Sequence, residues 1–140
     1  MQSFPIAQVD KVEQPPELKE LVLGLRDDKL REYAVRVPIQ HSSATFNVDR
    51  QTELLTYVKQ LYNKPFAHAF GAVLQRGVTV FSGPFSYTLI PVDLIDIPQV
   101  SIDGSALEEH SLLYVHSGPL PVKVTSGRVV LIVFAWQKKE

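Results

Sequence analysis

The chain has 140 residues, of which 45% are apolar, and its 14 basic and 15 acidic side chains give a formal net charge of −1. This length corresponds to one domain that removes roughly two thirds of its unfolded surface from water. The chain contains no cysteine, which excludes thiol nucleophiles, thiolate zinc sites, iron–sulfur clusters and disulfide scaffolds. The near-neutral charge argues against nucleic acid as a partner. No apolar stretch approaches the roughly 20 residues of a membrane helix, so no membrane contact is expected.

The first 16 residues are predicted to form an extended arm. Pro5, Pro15 and Pro16 stand among modest apolar residues, and proline fixes φ and restricts the residue before it. Such an arm lies either on its own domain or on a neighbouring subunit. We therefore expect an N-terminal arm over residues 1–16 and a single β-sandwich domain over residues 17–140.

Two segments are predicted to be helical. The first begins after Pro16 and ends near Gly24. Its apolar residues at helical spacing are Leu18, Leu21, Val22 and Leu25. A strand is the alternative there, because every second residue from Leu21 to Leu25 is leucine.

The second helix is predicted to follow Asp49 as its N-cap and to run to about Tyr62, before Pro65 stops it. The residues expected to face the core are Leu54, Leu55, Tyr57, Val58, Leu61 and Tyr62. We interpret the two tyrosines as packing residues rather than ligand contacts.

Most of the remaining chain is predicted to form strands. Residues 33–39, 85–89 and 120–124 alternate between apolar and other residues, as expected of strands with one buried face. Residues 128–136 are almost continuously apolar, which indicates a central strand covered on both faces. The Ser-Gly pair at 126–127 predicts a two-residue hairpin between the last two strands.

The segment from Pro91 to Gly104 is predicted to be an edge or a loop, because its prolines argue against a central strand. Such a segment either covers the core or forms an interface.

Many short strands, closely spaced turns and a packed helix indicate a mainly β fold. We predict an antiparallel β-sandwich, jelly-roll-like with about eight strands, carrying one or two short α-helices packed on it. An open α+β sheet is the alternative. A parallel doubly wound fold is disfavoured, because strands do not alternate with long helices.

No catalytic signature stands out in the sequence. The tightest group of possible metal ligands is Glu108, His110 and His116, whose shared parity would place them on one face of a strand. A metal needs three or four ligands converging at roughly 2.0 to 2.2 Å, and this spacing matches no known ligand pattern. Serine-nucleophile and phosphate-loop motifs are also missing. We therefore assign no catalytic, cofactor-binding or metal residue, and expect no cofactor. A cupin-like metal or small-molecule enzyme using these three residues remains an alternative.

A second alternative is a carbohydrate-binding β-sandwich. It requires Trp136, Tyr87 and Tyr114 to be exposed as a stacking platform for sugar rings.

The whole profile resembles the small cement or decoration proteins of tailed-phage capsids, some of which have jelly-roll folds. It combines about 140 residues, no cysteine, the arm from Pro5 to Pro16, dense strands from Tyr33 through Trp136 and no active-site pattern. The resemblance implies a non-enzymatic virion protein, made in the host cytoplasm and placed on the capsid surface. It also implies binding to the major capsid protein, as a homodimer or another homo-oligomer, to stiffen the shell.

Apolar residues outside the alternating strands are the candidate partner-binding residues. They are Phe4, Ile6, Val9, Leu94, Ile95 and Ile97. Weak contacts of this kind, repeated over many symmetric copies, would hold the protein by multivalency.

Overall fold

The computed structural model of the chain describes residues 8–25, 28–38, 43–49, 51–81, 85–102, 105–117 and 119–137. The strands are β1 Gln8–Glu13, β2 Ser43–Phe46, β3 Phe66–Leu74, β4 Gly77–Phe81, β5 Phe85–Ile102, β6 Ser105–Ala106, β7 Ser111–Ser117 and β8 Leu120–Gln137. The helices are α1 Pro16–Leu25, α2 Asp28–Arg36 and α3 Thr52–Tyr62. The strands form one antiparallel sheet in the order β1-β7-β5-β8-β3-β2, with β4 paired to β8 and β6 to β5.

The strands β5 and β8 organise this sheet. Each is 18 residues long, and they pair from Phe85↔Gln137 to Ile102↔Val122. Because β5 takes one edge of β8 throughout, β3 and β4 share the other edge, one along each half of β8. The register between β5 and β8 slips around Gly127, whose φ is 73°. Glycine adopts this backbone conformation without steric cost, and an irregularity of this kind bends the paired strands.

The bent sheet buries side chains on both faces, in two clusters. The helix-face core joins α1 and α3 to the even-numbered residues of β8 that follow Gly127, including Leu18, Val22, Leu54, Val58, Ile132, Phe134 and Trp136. The bend core joins the two halves of β8 to each other, through Leu120, Val122, Val124, Val129, Leu131 and Val133. Two parts of one sheet thus face each other, as the layers of a sandwich do. The predicted mainly β antiparallel sandwich is confirmed, and so is the central strand over residues 128–136. The described residues form three short helices instead of the predicted one or two.

The predicted hairpin at Ser126-Gly127 is wrong, because both residues lie within β8. A hairpin at this position would have to break the pairing between this segment and β5. Instead β5 pairs with β8 on both sides of the bend, through Gln99↔Ser126 and Ile95↔Arg128. The dipeptide therefore bends a strand rather than ending one.

The proline-containing segment is a strand and not a loop, because residues 91–102 continue β5. Its predicted edge position agrees with the pairing, since among the described strands only β8 pairs with it between residues 91 and 100. Proline cannot donate to a strand ladder, but β7 pairs with β5 over residues 87–89, just before Pro91. The Gln14 side chain lies at this end of the pairing. Its Nε2 donates to the carbonyl oxygens of Ser111 at 3.0 Å and Pro91 at 3.4 Å. Pro91 therefore stands where the register shifts, not at the end of a strand.

The predicted strand over residues 33–39 is wrong as well, because residues 28–36 form α2. Ala34 and Val37 are buried, whereas Tyr33 and Val35 are exposed. The inward side chains are thus three residues apart rather than two, as on a helix.

The other two predicted helices are confirmed, but their ends differ from the predicted ones. The helix α1 spans Pro16–Leu25. The helix α3 begins at Thr52, after Gln51 rather than Asp49, and ends at Asn63 in the left-handed conformation. Leu61, predicted to face the core, is 43% exposed.

Part of the predicted arm belongs to the sheet. Residues 8–13 form β1, which pairs with β7 of the same chain. Residues 1–7, and with them Pro5, lie outside the described residues.

Two glycines give a matched test of this packing. Gly71 on β3 stands opposite Phe46 on β2, and a Cβ at Gly71 would overlap the Phe46 ring. We expect Gly71→Ala to lower the free energy of unfolding by about 1–3 kcal/mol, because the ring must leave its place against the helix-face core. Gly24 on α1 has nothing within 4 Å of its added Cβ, so Gly24→Ala should raise stability by about 0.5–1 kcal/mol.

Urea unfolding followed by circular dichroism measures both changes. Equal stability of Gly71→Ala and the parent chain would contradict the packing of Phe46 on Gly71.

Candidate functional site

The predicted partner-binding residues do not form one exposed surface. Ile95 is 5% exposed and belongs to the helix-face core. Val9 and Leu94 are half-buried and pack against the bend core. Phe4 and Ile6 lie outside the described residues, and Ile97 lies in β5 with its side chain likewise outside them. The described members of this set pack within the fold and do not form an exposed partner-binding surface.

The predicted metal ligands are not brought together either. Glu108 pairs with Lys11 at 3.1 Å, whereas His116 pairs with Asp10 at 2.5 Å. Glu108 and His110 precede β7, while His116 lies near its far end. Within the described ranges, no three His, Asp or Glu side chains are grouped so that they could hold a metal ion.

The proposed sugar-stacking platform is also contradicted. Trp136 is 0% exposed and Tyr114 is 8% exposed, and Tyr87 is half-buried against the bend core. Trp136 instead donates its Nε1–H to Thr88 Oγ1 at 2.9 Å. Its place in the apolar run of β8 is the sequence signal for this burial.

A concave site does exist at the end of α3. This polar cleft has a volume of about 400 Å³ and lies between the start of β3 and residues of β5, β7 and β8. Its lining residues are Asn63, Lys64, Pro65, Ser86, Tyr114, His116 and Gln137.

The backbone at the end of α3 forms one rim of the polar cleft. Asn63 has φ 48° and ψ 46°, and its N–H donates to the Lys59 carbonyl oxygen at 3.0 Å. This left-handed residue ends α3 and turns the chain toward β3. The backbone N–H of Gln137 then donates to the Pro65 carbonyl oxygen at 2.8 Å. The end of β8 is thereby held against the turn that carries Lys64.

Aromatic side chains form the floor of the polar cleft. The Tyr114 ring stacks on Tyr62 with centroids 5.2 Å apart, and its hydroxyl donates to Ser86 Oγ at 3.0 Å. Burial raises the pKa of Tyr62 above its ordinary value, although a hydrogen bond with Thr88 acts in the opposite direction. The Tyr114 ring, which lines the cleft, is thus backed by the partly buried Tyr62 ring.

The charged groups of the polar cleft stand at its rim. Lys64 Nζ lies 5.1 Å from the centroid of the Tyr114 ring. The His116 ring meets Tyr114 edge to face, with centroids 4.6 Å apart. His116 Nε2 and Asp10 Oδ2 are 2.5 Å apart, which ties β1 to β7 beside the cleft.

A second surface of different chemistry lies on the other half of β8. Among the described strands, only β8 pairs with β4. Val78 and Val80 of β4 are 53% and 52% exposed, and Val80 stands opposite the exposed Pro121. We call Val78, Val80 and Pro121 the β4 face. Sequence analysis did not single it out, although the alternation Val-Thr-Val was a usable signal.

No protein-family model matches the chain, and no curated protein matches its sequence. None of the described helices is long and apolar enough to cross a membrane.

The raised pKa of Tyr62 predicts a loss of stability at high pH. Above the ordinary value of 10, the unfolded chain releases this proton while the folded chain retains it. The stabilisation is therefore complete below about pH 10 and falls as the pH rises through the folded pKa. Urea unfolding between about pH 8 and pH 11 should show a smaller fall for Tyr62→Phe than for the parent chain. Identical slopes would contradict the burial of this hydroxyl.

Proposed function

We propose that this protein is a structural accessory protein of a viral capsid, a cement or decoration protein that binds the major capsid protein on the shell surface. The observation that carries the proposal is the β4 face, where an uncharged strand presents two half-exposed valines. Natural edge strands are ordinarily guarded by charged residues, proline or a covering element. The strand β4 itself carries no charged side chain, and among the described residues that pair with it only Lys123 of β8, opposite Val78, is charged. An edge strand of this composition is suited to contact with another protein.

The mode of attachment follows from the pairing of β4. Because β8 occupies one side of β4, the other side can accept an extended segment of the partner as an added strand. Val78 and Val80 point to the same face and would contact apolar side chains of that partner. Burying the exposed half of each valine contributes about 1 kcal/mol. One such contact is weak, and the many copies on a shell supply the total hold.

The N-terminal arm remains a second part of this proposal, with a changed boundary. Residues 8–13 pair with β7, and the Gln14 side chain is 2% exposed. Removing residues 1–15 would therefore damage the sheet itself. Removal of residues 1–7 alone is the deletion that tests whether the arm contacts the shell.

The proposal also includes self-association as a homodimer or another homo-oligomer. Sedimentation equilibrium of the purified chain, without shells, tests this part separately. A strictly monomeric chain over the accessible concentration range would remove it.

Cosedimentation with shells assembled from the major capsid protein tests the proposed function. The parent chain should pellet with the shells, and Val80→Lys should reduce its affinity by about tenfold or more, because a charge is placed in the apolar contact. Val12→Lys is the matched control, since Val12 is 54% exposed on another edge strand, β1. It should bind as the parent chain does.

Circular dichroism of both variants checks that they are folded. A parent chain that never pellets with shells would overturn the capsid proposal. Equal affinities of Val80→Lys and the parent chain would overturn the β4 face as its contact.

A further inference from the structure

We propose that the polar cleft binds a small organic molecule through an oxyanion group, a carboxylate or a phosphate, with Lys64 as the opposite charge. This site is separate from the β4 face, and it does not depend on capsid binding. Three properties of the cleft support this proposal: its hydrogen-bond donors, its charge balance and its size.

Hydrogen-bond donors predominate around the polar cleft. Lys64 Nζ has three N–H groups, and within the described part of the chain no carboxylate pairs with it. The side-chain amides of Asn63 and Gln137 each add two N–H donors beside a carbonyl acceptor. Their backbone N–H groups already donate to the carbonyl oxygens of Lys59 and Pro65.

Ser86 extends this set of donors into the floor. It is 5% exposed, and its Oγ accepts the Tyr114 hydroxyl at 3.0 Å. A serine hydroxyl that accepts a hydrogen bond still has its own proton to donate. Because Ser86 lines the cleft, this hydroxyl can donate to a ligand bound there.

The charge balance at the polar cleft favours an anion. The nearby acid, Asp10, is already bonded to His116, so its charge is partly compensated. The carbonyl end of α3 contributes a partial negative charge of about one half. The ammonium of Lys64 carries a full positive charge and lies over the Tyr114 ring, above the cleft floor. The positive charge therefore exceeds the negative charge that faces the cleft.

The size of the polar cleft indicates more than a bare ion. Its volume of about 400 Å³ falls in the range of roughly 300–1,000 Å³ that suits small-molecule ligands. Pro65 and the Tyr114 ring supply apolar surface beside the donors. An oxyanion attached to a compact organic group, held by Lys64 and Ser86, fits this combination.

The experiment is a titration of the full chain followed by backbone amide NMR. The probes are inorganic phosphate, phenyl phosphate and benzoate. We expect saturable shifts at Asn63, Lys64, His116 and Gln137, with dissociation constants on the order of millimolar. Lys64→Gln should weaken binding by about tenfold, because a charge-assisted hydrogen bond is lost. Lys123→Gln is the matched control, because Lys123 is an exposed lysine on the other half of β8, and it should not change the affinity.

The probes also distinguish the sources of the oxyanion. Tighter binding of phenyl phosphate or benzoate than of inorganic phosphate supports the organic ligand, whereas preferential binding of inorganic phosphate would overturn it in favour of a free ion. Absence of saturable shifts with all three probes, or equal affinities of Lys64→Gln and the parent chain, would overturn the site itself. The Val80→Lys variant should bind these probes unchanged, which separates this test from that of the proposed function.

Discussion

The antiparallel pairing of β5 with β8 is the constraint on which the rest of the structure depends. The two strands remain paired on both sides of Gly127, so the sheet bends as one unit instead of ending in a hairpin. The bend lets Leu120, Val122 and Val124 pack against Val129, Leu131 and Val133 of the same strand. One continuous sheet thereby acquires the two facing layers of a sandwich. The opposite face of β8 then serves α1 and α3.

The same bend separates the β4 face from the polar cleft. The β4 face lies beside the first half of β8 at Pro121, and the polar cleft lies at its last residue, Gln137. The β4 face offers apolar side chains and an open strand edge, which suit a protein partner. The polar cleft offers fixed donors above a floor of stacked tyrosines, which suits a small polar ligand. A substitution in one surface is therefore expected to leave the other intact.

Buried polar groups hold the floor of the polar cleft in place. The helix-face core contains the Trp136 indole and the Tyr114 ring, both of which carry a donor that must be satisfied when buried. Thr88 and Ser86 of β5 accept these donors at 2.9 Å and 3.0 Å. Since both hydroxyls belong to one strand, they also fix how β5 stands against β7 and β8. Aromatic packing and hydrogen bonding thus support the same geometry.

The sequence by itself determined the mainly β class, the positions of α1 and α3 and the central strand over residues 128–136, because proline stops, local periodicity and an unbroken apolar run are local properties. Only the tertiary structure decided that residues 33–36 are helical. The sequence there fits an alternating strand equally well, and burial of Ala34 and Val37 is what distinguishes the two. It also decided that Pro91 lies within β5 just past the last residue paired with β7, because that depends on where β7 stops pairing with β5. The polar cleft was beyond sequence reasoning: Lys64, Ser86 and Gln137 are far apart in the chain, and only the sheet brings them together.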